Sequence, residues 1–278
     1  MIPALELLSP QRPLDFVMMN PPFYASQSEM LASAAKKSRP PSSACTGASV
    51  EMVCEGGEVA HVGRLLRESL VLRERGARWY TSMLGKVTSL EVLVGRLREE
   101  KVDNFAVKEF IQGNKTKRWA VGWSFGAMRA EEGVARGLGS AVWKRLLPPG
   151  VRIELGSLGV EGAGKVVERI KEVVGGLELL SWAWEGDKGR GIGRAGGNVW
   201  GRAWRRKRAR GEAEGIGGGA EKKGEEEGEC KLGFEIRVEV GMEETKVSLL
   251  WREGHDPSLF ESLGGFLQGK LKDLVPGQ

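Results

Sequence analysis

The run Leu14–Met19 (LDFVMM) is largely apolar, β-prone and of strand length, and it stops at Pro21-Pro22, which cannot continue a ladder. This pattern predicts a buried strand with a rigid exit loop. From Tyr24 to Gly57 Ser, Ala, Lys and Pro dominate without period, which predicts a long loop. Val59, Val62, Leu65, Leu66, Ser69 and Leu70 then fall three and four apart, predicting an amphipathic helix to about Glu74, with Arg64, Arg67 and Arg73 on its wet side. RWYTSMLG reads as a short strand closed by Gly85, and Leu90, Leu93, Val94 and Leu97 mark a second helix from Ser89 to about Glu100. Phe105–Ile111 and Arg118–Phe125 flank QGNKTK, a turn-forming segment, and so predict a hairpin. Alternating strands and helices that end in an antiparallel hairpin define an α/β fold, the second half of a doubly wound sheet.

AEEGVARGLGS (130–140) reads as a linker, after which the pattern restarts. VRIEL, LELLSWAWE, Phe234–Val240 and Lys246–Trp251 are strand-like, Gly164–Val174 is an amphipathic helix, and Pro257–Leu274 closes the chain with a helix carrying Leu259, Phe260, Leu263, Phe266, Leu267 and Leu271 on one face. Residues 186–229 are almost all Gly, Arg, Lys, Glu and Ala, a composition expected to stay unfolded. The expected organisation is therefore a partial α/β domain over 1–129, a linker over 130–140, and a small α+β module over 141–278 holding a disordered loop at 186–229.

Glycine accounts for 41 of the 278 residues, about twice its usual ~7% share, which reinforces the loop reading of the second half. A net charge of +5 is compatible with a polyanionic partner without requiring one. No stretch reaches the roughly 18 to 20 apolar residues of a membrane span, and MIPALELLSPQRP has no signal-peptide pattern, so a soluble, non-secreted protein without a membrane partner is expected. Cys45, Cys54 and Cys230 form no CxxC pair, and only His61 and His255 could join them, so neither disulfides nor a metal site is expected. His61, near a helix start, and His255, before a helix that Asp256 or Ser258 could cap, read as structural. Trp119, Trp123, Trp182, Trp184 and Trp251 lie on strands and read as core, whereas Trp200 and Trp204 stand among arginines.

Asn20-Pro21-Pro22-Phe23, directly after the first strand, carries the most chemistry. The exocyclic amine of adenine is a poor nucleophile because its lone pair is conjugated with the ring. The Asn20 side-chain carbonyl and the Pro21 backbone carbonyl can accept its two hydrogens and aim it at an electrophilic methyl group. Pro22 lacks an N–H and fixes the turn, and Phe23 can stack on a flipped base. A proline turn that ends a strand and sends Phe23 into the core is the alternative.

MNPPFY, RPPSSACTG, EGGE, RWYTSMLGK and EFIQGNKTKRWAVGWSF occur in the order and spacing of one family. The chain resembles the eukaryotic methyltransferase-like enzymes that N6-methylate adenine in U6 small nuclear RNA, relatives of the bacterial 23S ribosomal RNA adenine N6-methyltransferase F. The likeness runs from about Asp15 to Phe125. It implies the C-terminal half of a Rossmann-like sheet, S-adenosyl-L-methionine as cofactor, a structured small nuclear RNA as partner, and a nuclear location with or without a cytoplasmic pool. It implies catalytic roles for Asn20, Pro21, Pro22 and Phe23, with Asn20 also beside the cofactor. Substrate contacts are implied for Tyr24 and for Arg39, Ser42, Ser43 and Thr46 in the RPPSSACTG loop. More weakly, WREGHDPSLFESLGGFLQGKL is similar to the family's accessory RNA-binding region, a kinase-associated-1-like fold. RAWRRKRAR (202–210), and within it Arg205, Arg206, Lys207 and Arg208, is a candidate for phosphate neutralisation or nuclear import.

The family's glycine-rich cofactor loop and ribose-binding acid precede the motif strand by roughly a hundred residues, whereas only residues 1–13 precede it here. GRGIGRAGG (189–197) follows no strand that leads into a helix and does not substitute. The expectation is an N-terminally truncated, inactive form that binds the cofactor poorly. The competing readings are a non-catalytic RNA-binding fragment and a glutamine N5 protein methyltransferase, whose aromatic is usually Tyr.

Overall fold

The computed structural model describes residues 14–35, 49–112, 116–204, 206 and 228–275. They divide into two compact units: Met1–Gly126 with Ala130–Pro149, and Ala127–Arg129 with Gly150–Gln278.

The first unit is built on a mixed sheet of order β1-β2-β4-β3-β5, formed by β1 (Leu14–Met19), β2 (Ala77–Leu84), β3 (Phe105–Gln112), β4 (Thr116–Trp123) and β5 (Arg136–Gly137). β1 and β2 run parallel, with Met19 opposite Ser82, and α3 (Gly57–Leu72) makes the crossover between them. α4 (Val87–Glu99) leads to the antiparallel β3–β4 hairpin, and β4 inserts between β2 and β3. This is an α/β arrangement of the kind the alternating pattern predicts.

Leu65, Leu66, Leu90, Leu93, Val94 and Leu97 from the two helices bury against Tyr80, Leu84, Val121 and Trp123 from the strands. The helix stripes read from the sequence are the ones that face the core. Val17 and Met19 of β1 join this core, whereas Phe16 (64% exposed) and Met18 (79% exposed) open from the other face. The expected burial of β1 therefore holds for one face only. Among the described residues β1 pairs only with β2, so its outer ladder groups stay open.

Two expectations are corrected in this unit. The stretch 24–57, expected to be loop, holds α1 (Gln27–Ala35) and α2 (Ser49–Met52). Its missed signal is Ser26-x-x-Glu29. The Ser26 hydroxyl accepts the Glu29 N–H at 3.1 Å, and Glu29 reaches back to the Ala25 N–H at 2.8 Å, a variant of the capping box. The expected linker 130–140 contains α5 (Glu132–Ala135) and β5, which pairs parallel with β3 through Val107↔Arg136 and Lys108↔Gly137. Its glycines suggested mobility, but Ala135 is buried, and Leu138, Trp143 and Leu147 pack on the first core.

The second unit is an antiparallel sheet of order β6-β10-β9-β8-β7, formed by β6 (Arg152–Gly159), β7 (Ser181–Glu185), β8 (Arg190–Ala195), β9 (Leu232–Val240) and β10 (Glu244–Glu253). α6 (Ala163–Gly175) and α7 (Pro257–Leu271) share its core: Val166, Ile170, Val174, Leu263 and Leu267 bury with Phe234, Ile236, Leu249 and Trp251. Asp256 caps α7 by accepting the N–H groups of Ser258 (2.9 Å) and Leu259 (3.3 Å), ahead of Pro257 in the first turn.

The expected disorder of 186–229 is overturned over its first part, because β8 occupies 190–195 within GRGIGRAGG. A Cβ on Gly191 would run into the Trp182 ring, and one on Gly193 into the Phe234 ring. These glycines are the core face of a strand, left bare so that aromatic rings can lie across it, while Arg190, Ile192 and Arg194 point outward. Trp200 is likewise buried, its indole N–H donating to Ser262 Oγ at 3.1 Å, and so is core rather than a free stacking residue.

Candidate functional site

β1 ends at Met19, and Asn20-Pro21-Pro22-Phe23 turns away at the carboxyl edge of the β1–β2 parallel pair, where doubly wound folds place their ligands. Asn20 is exposed, Pro21 and Pro22 are buried, and Phe23 and Tyr24 are half-buried. The buried prolines hold the turn while Asn20 remains exposed.

Beyond the turn the chain is stitched to the segment that precedes α3. Tyr24 forms a parallel bridge with Val53, its N–H donating to Met52 O (3.2 Å) and its carbonyl accepting the Cys54 N–H (3.0 Å). Gly56 and Gly57 follow with φ of 76° and 64°, a left-handed pair that swings the backbone into α3 and favours glycine at both positions. This places Glu58 at the first turn of α3, its carboxylate accepting the Gly85 N–H at 2.6 Å and the Lys86 N–H at 3.1 Å at the end of β2.

The Phe23 ring lies beside Gly85, and the Arg118 guanidinium stands over the ring at 5.3 Å. Lys86 bonds Glu29 at 2.6 Å, which ties α1 to the same corner. That bond to the Lys86 ammonium, with the Ala25 N–H, holds the Glu29 carboxyl below its ordinary range, and Lys86 is correspondingly raised. The corner beyond the Asn20 turn thus gathers Phe23, Gly85, Lys86 and Arg118 beside a buried Glu58.

Of the residues expected to contact substrate, Tyr24 lies at this corner through its backbone bridge. Arg39, Ser42, Ser43 and Thr46 lie outside the described residues, as do Arg205, Lys207 and Arg208. Arg206 is exposed and belongs to the second unit. Glu29, Glu58, Gly85 and Arg118 received no role in the sequence reading. EGGE carried a signal for Glu58, since two glycines before a helix can aim the next side chain backward, but only the fold shows what it meets.

Among the described residues no group of His, Cys, Asp and Glu could hold a metal ion, and no helix is long and apolar enough to cross a membrane. Nor do they build a cradle for S-adenosylmethionine. β1 runs into two prolines instead of through a glycine turn into a helix, and the amides at the exit of β2 are taken by Glu58.

In comparison with known proteins, residues 6–127 match the family model described as RNA methyltransferase. The chain is similar to the U6 small nuclear RNA (adenine-(43)-N(6))-methyltransferase of Schizosaccharomyces pombe, with 44% identity over 121 residues, covering 44% of this chain and 30% of that protein. The zebrafish (Danio rerio) RNA N(6)-adenosine-methyltransferase mettl16 is 47% identical over 113 residues, covering 40% of this chain and 24% of that protein. Among solved structures, the hMettl16 catalytic domain in complex with the MAT2A 3'UTR hairpin 1 is 42% identical over 43% of this chain and 42% of that one, with a TM-score of 0.36. The chain spans less than a third of the length of these curated relatives.

Proposed function

We propose that the chain carries the adenine-holding side of an RNA adenine N6-methyltransferase of the U6 small nuclear RNA type, acting in the nucleus. The observation that carries this reading is the exposed Asn20 on a turn pinned by buried Pro21 and Pro22 at the carboxyl edge of parallel strands.

A flipped adenine stacks on Phe23, and its amine donates one N–H hydrogen bond to the Asn20 side-chain oxygen and one to the Pro21 carbonyl, with the single proton lost on methylation passing to solvent. Two acceptors hold the nitrogen in one orientation and draw electron density toward it as its lone pair leaves conjugation, so the rate gain comes from positioning and electrostatics without a general base. S-adenosylmethionine supplies the methyl group in this class of enzyme.

The test is a graft. Residues 14–127 replace the matching segment of the fission-yeast relative, and N6-methyladenosine is measured in U6-type RNA by mass spectrometry. Transfer by the graft supports the reading; a folded graft that binds RNA and transfers nothing removes it.

The second unit is read as an RNA platform, with Arg205, Arg206, Lys207 and Arg208 meeting phosphates, and in the first unit Tyr24, Arg39, Ser42, Ser43 and Thr46 are proposed as substrate contacts. Replacing Arg205, Arg206, Lys207 and Arg208 by alanine is expected to lower the slope of log affinity against log salt by up to ~3 for single-stranded contacts. Filter binding at several salt concentrations measures this, and an unchanged slope assigns the run to another role.

A further inference from the structure

We infer that Glu58 is a positioning residue for adenine recognition, setting where the Phe23 ring stands; this rests on the reading of Phe23 as the base platform. Glu58 is 3% exposed, a carboxylate taken out of water at the first turn of α3. Such a group is costly unless its oxygens are satisfied, and here each oxygen accepts one backbone N–H, from Gly85 at 2.6 Å and Lys86 at 3.1 Å.

These amides belong to the short connection between β2 and α4, and Lys86, at the N-cap position of α4, offers no side-chain cap. Glu58 is thus an external cap for α4, delivered from another helix, and it fixes the path of Gly85. Gly85 in turn is where the ring rests. A Cβ there would lie 3.1 Å from Phe23 Cδ1 and 3.2 Å from Glu58 Oε2, so ring, glycine and carboxylate occupy one packed corner. Arg118 supplies the contact over the ring at 5.3 Å. The chain of contact runs from α3 through the β2–α4 connection to the ring, so the carboxylate touches no substrate and acts through backbone.

Glu58→Gln is the sharpest probe, because a carboxamide keeps the size but offers one acceptor and one donor to two N–H groups. The mismatch opens the connection under Phe23. The measurement is the affinity of the whole chain for a U6-type hairpin RNA carrying the target adenine, against the same hairpin with an abasic site there. With stacking in place, the chain prefers the adenine by ~10-fold or more.

Glu58→Gln is expected to bring that preference below about threefold while leaving affinity for the abasic hairpin unchanged, since phosphate contacts are untouched. A purely structural role would weaken both RNAs alike and keep their ratio. Phe23→Leu separates this inference from the reading beneath it. If Phe23→Leu abolishes the preference and Glu58→Gln keeps it, the role of Glu58 is overturned and the platform stands; if Phe23→Leu keeps it, both fall. Should Glu58→Gln not fold, Gly85→Ala carries the test, because the added methyl pushes on the same ring, and a preserved preference in that variant overturns the proposal.

Discussion

Asn20→Ala in the active graft is expected to reduce methyl transfer by at least ~100-fold, and toward 1,000-fold, while RNA affinity changes by no more than a few-fold. The size follows from what is removed. One of two acceptors for the amine hydrogens disappears, and loss of a single preorganised polar contact to reacting atoms costs ~100- to 1,000-fold in rate. Affinity barely moves because Asn20 is one exposed side chain, whereas binding to RNA rests mainly on phosphates. Asn20→Asp sharpens the result, since it retains an acceptor but places a charge beside a cationic donor. Single-turnover transfer with saturating RNA measures both variants, and an alanine variant within tenfold of the parent would refute the role of Asn20.

Trp123→Ala is expected to destabilise the first unit by about 3–5 kcal/mol, the range for removing a large buried aromatic. Trp123 is 1% exposed, stacks on Tyr80 at 5.9 Å with an interplanar angle of 13°, and donates its indole N–H to Ser69 Oγ at 2.9 Å. Ser69 is itself buried, and its hydroxyl donates to Leu66 O at 2.7 Å, so the truncation opens a cavity and strips a buried polar group of one partner. The second unit has a separate core, so its transition stays in place. Urea unfolding followed by near-ultraviolet circular dichroism resolves the two, and a first transition shifted by less than 1 kcal/mol would contradict this account of the core.

The regular parts of both units were legible because their apolar spacing is strong. The stripe of α3, the stripe of α4, the QGNKTK hairpin and the face of α7 all sit where periodicity puts them, since burial of one face is what those helices and strands share. β8 was illegible for the opposite reason. Its core face is Gly191, Gly193 and Ala195, and the rings that lie across it are Trp182 on the neighbouring β7 and Phe234 on β9, the latter distant in sequence. Composition reports such a strand as linker.

The candidate site divides in the same way. Asn20 to Phe23 stand out in the sequence because the proposed amine chemistry needs an acceptor and a fixed carbonyl at adjacent positions. Glu58, Gly85 and Arg118 are spread over separate elements and meet only through the parallel crossover and the insertion of β4 beside β2. No local spacing encodes that meeting.

If the turn grips the amine of adenine as proposed, nuclear magnetic resonance of that nitrogen will report the grip. A U6-type hairpin with a single 15N-labelled amino group at the target adenosine is titrated with the whole chain. Two distinct amino proton signals are expected, shifted downfield and protected from exchange, as two acceptors stop rotation about the C6–N6 bond, with collapse to the free position in Asn20→Ala. Amino signals that stay at their free positions in saturated complex would contradict the proposed grip.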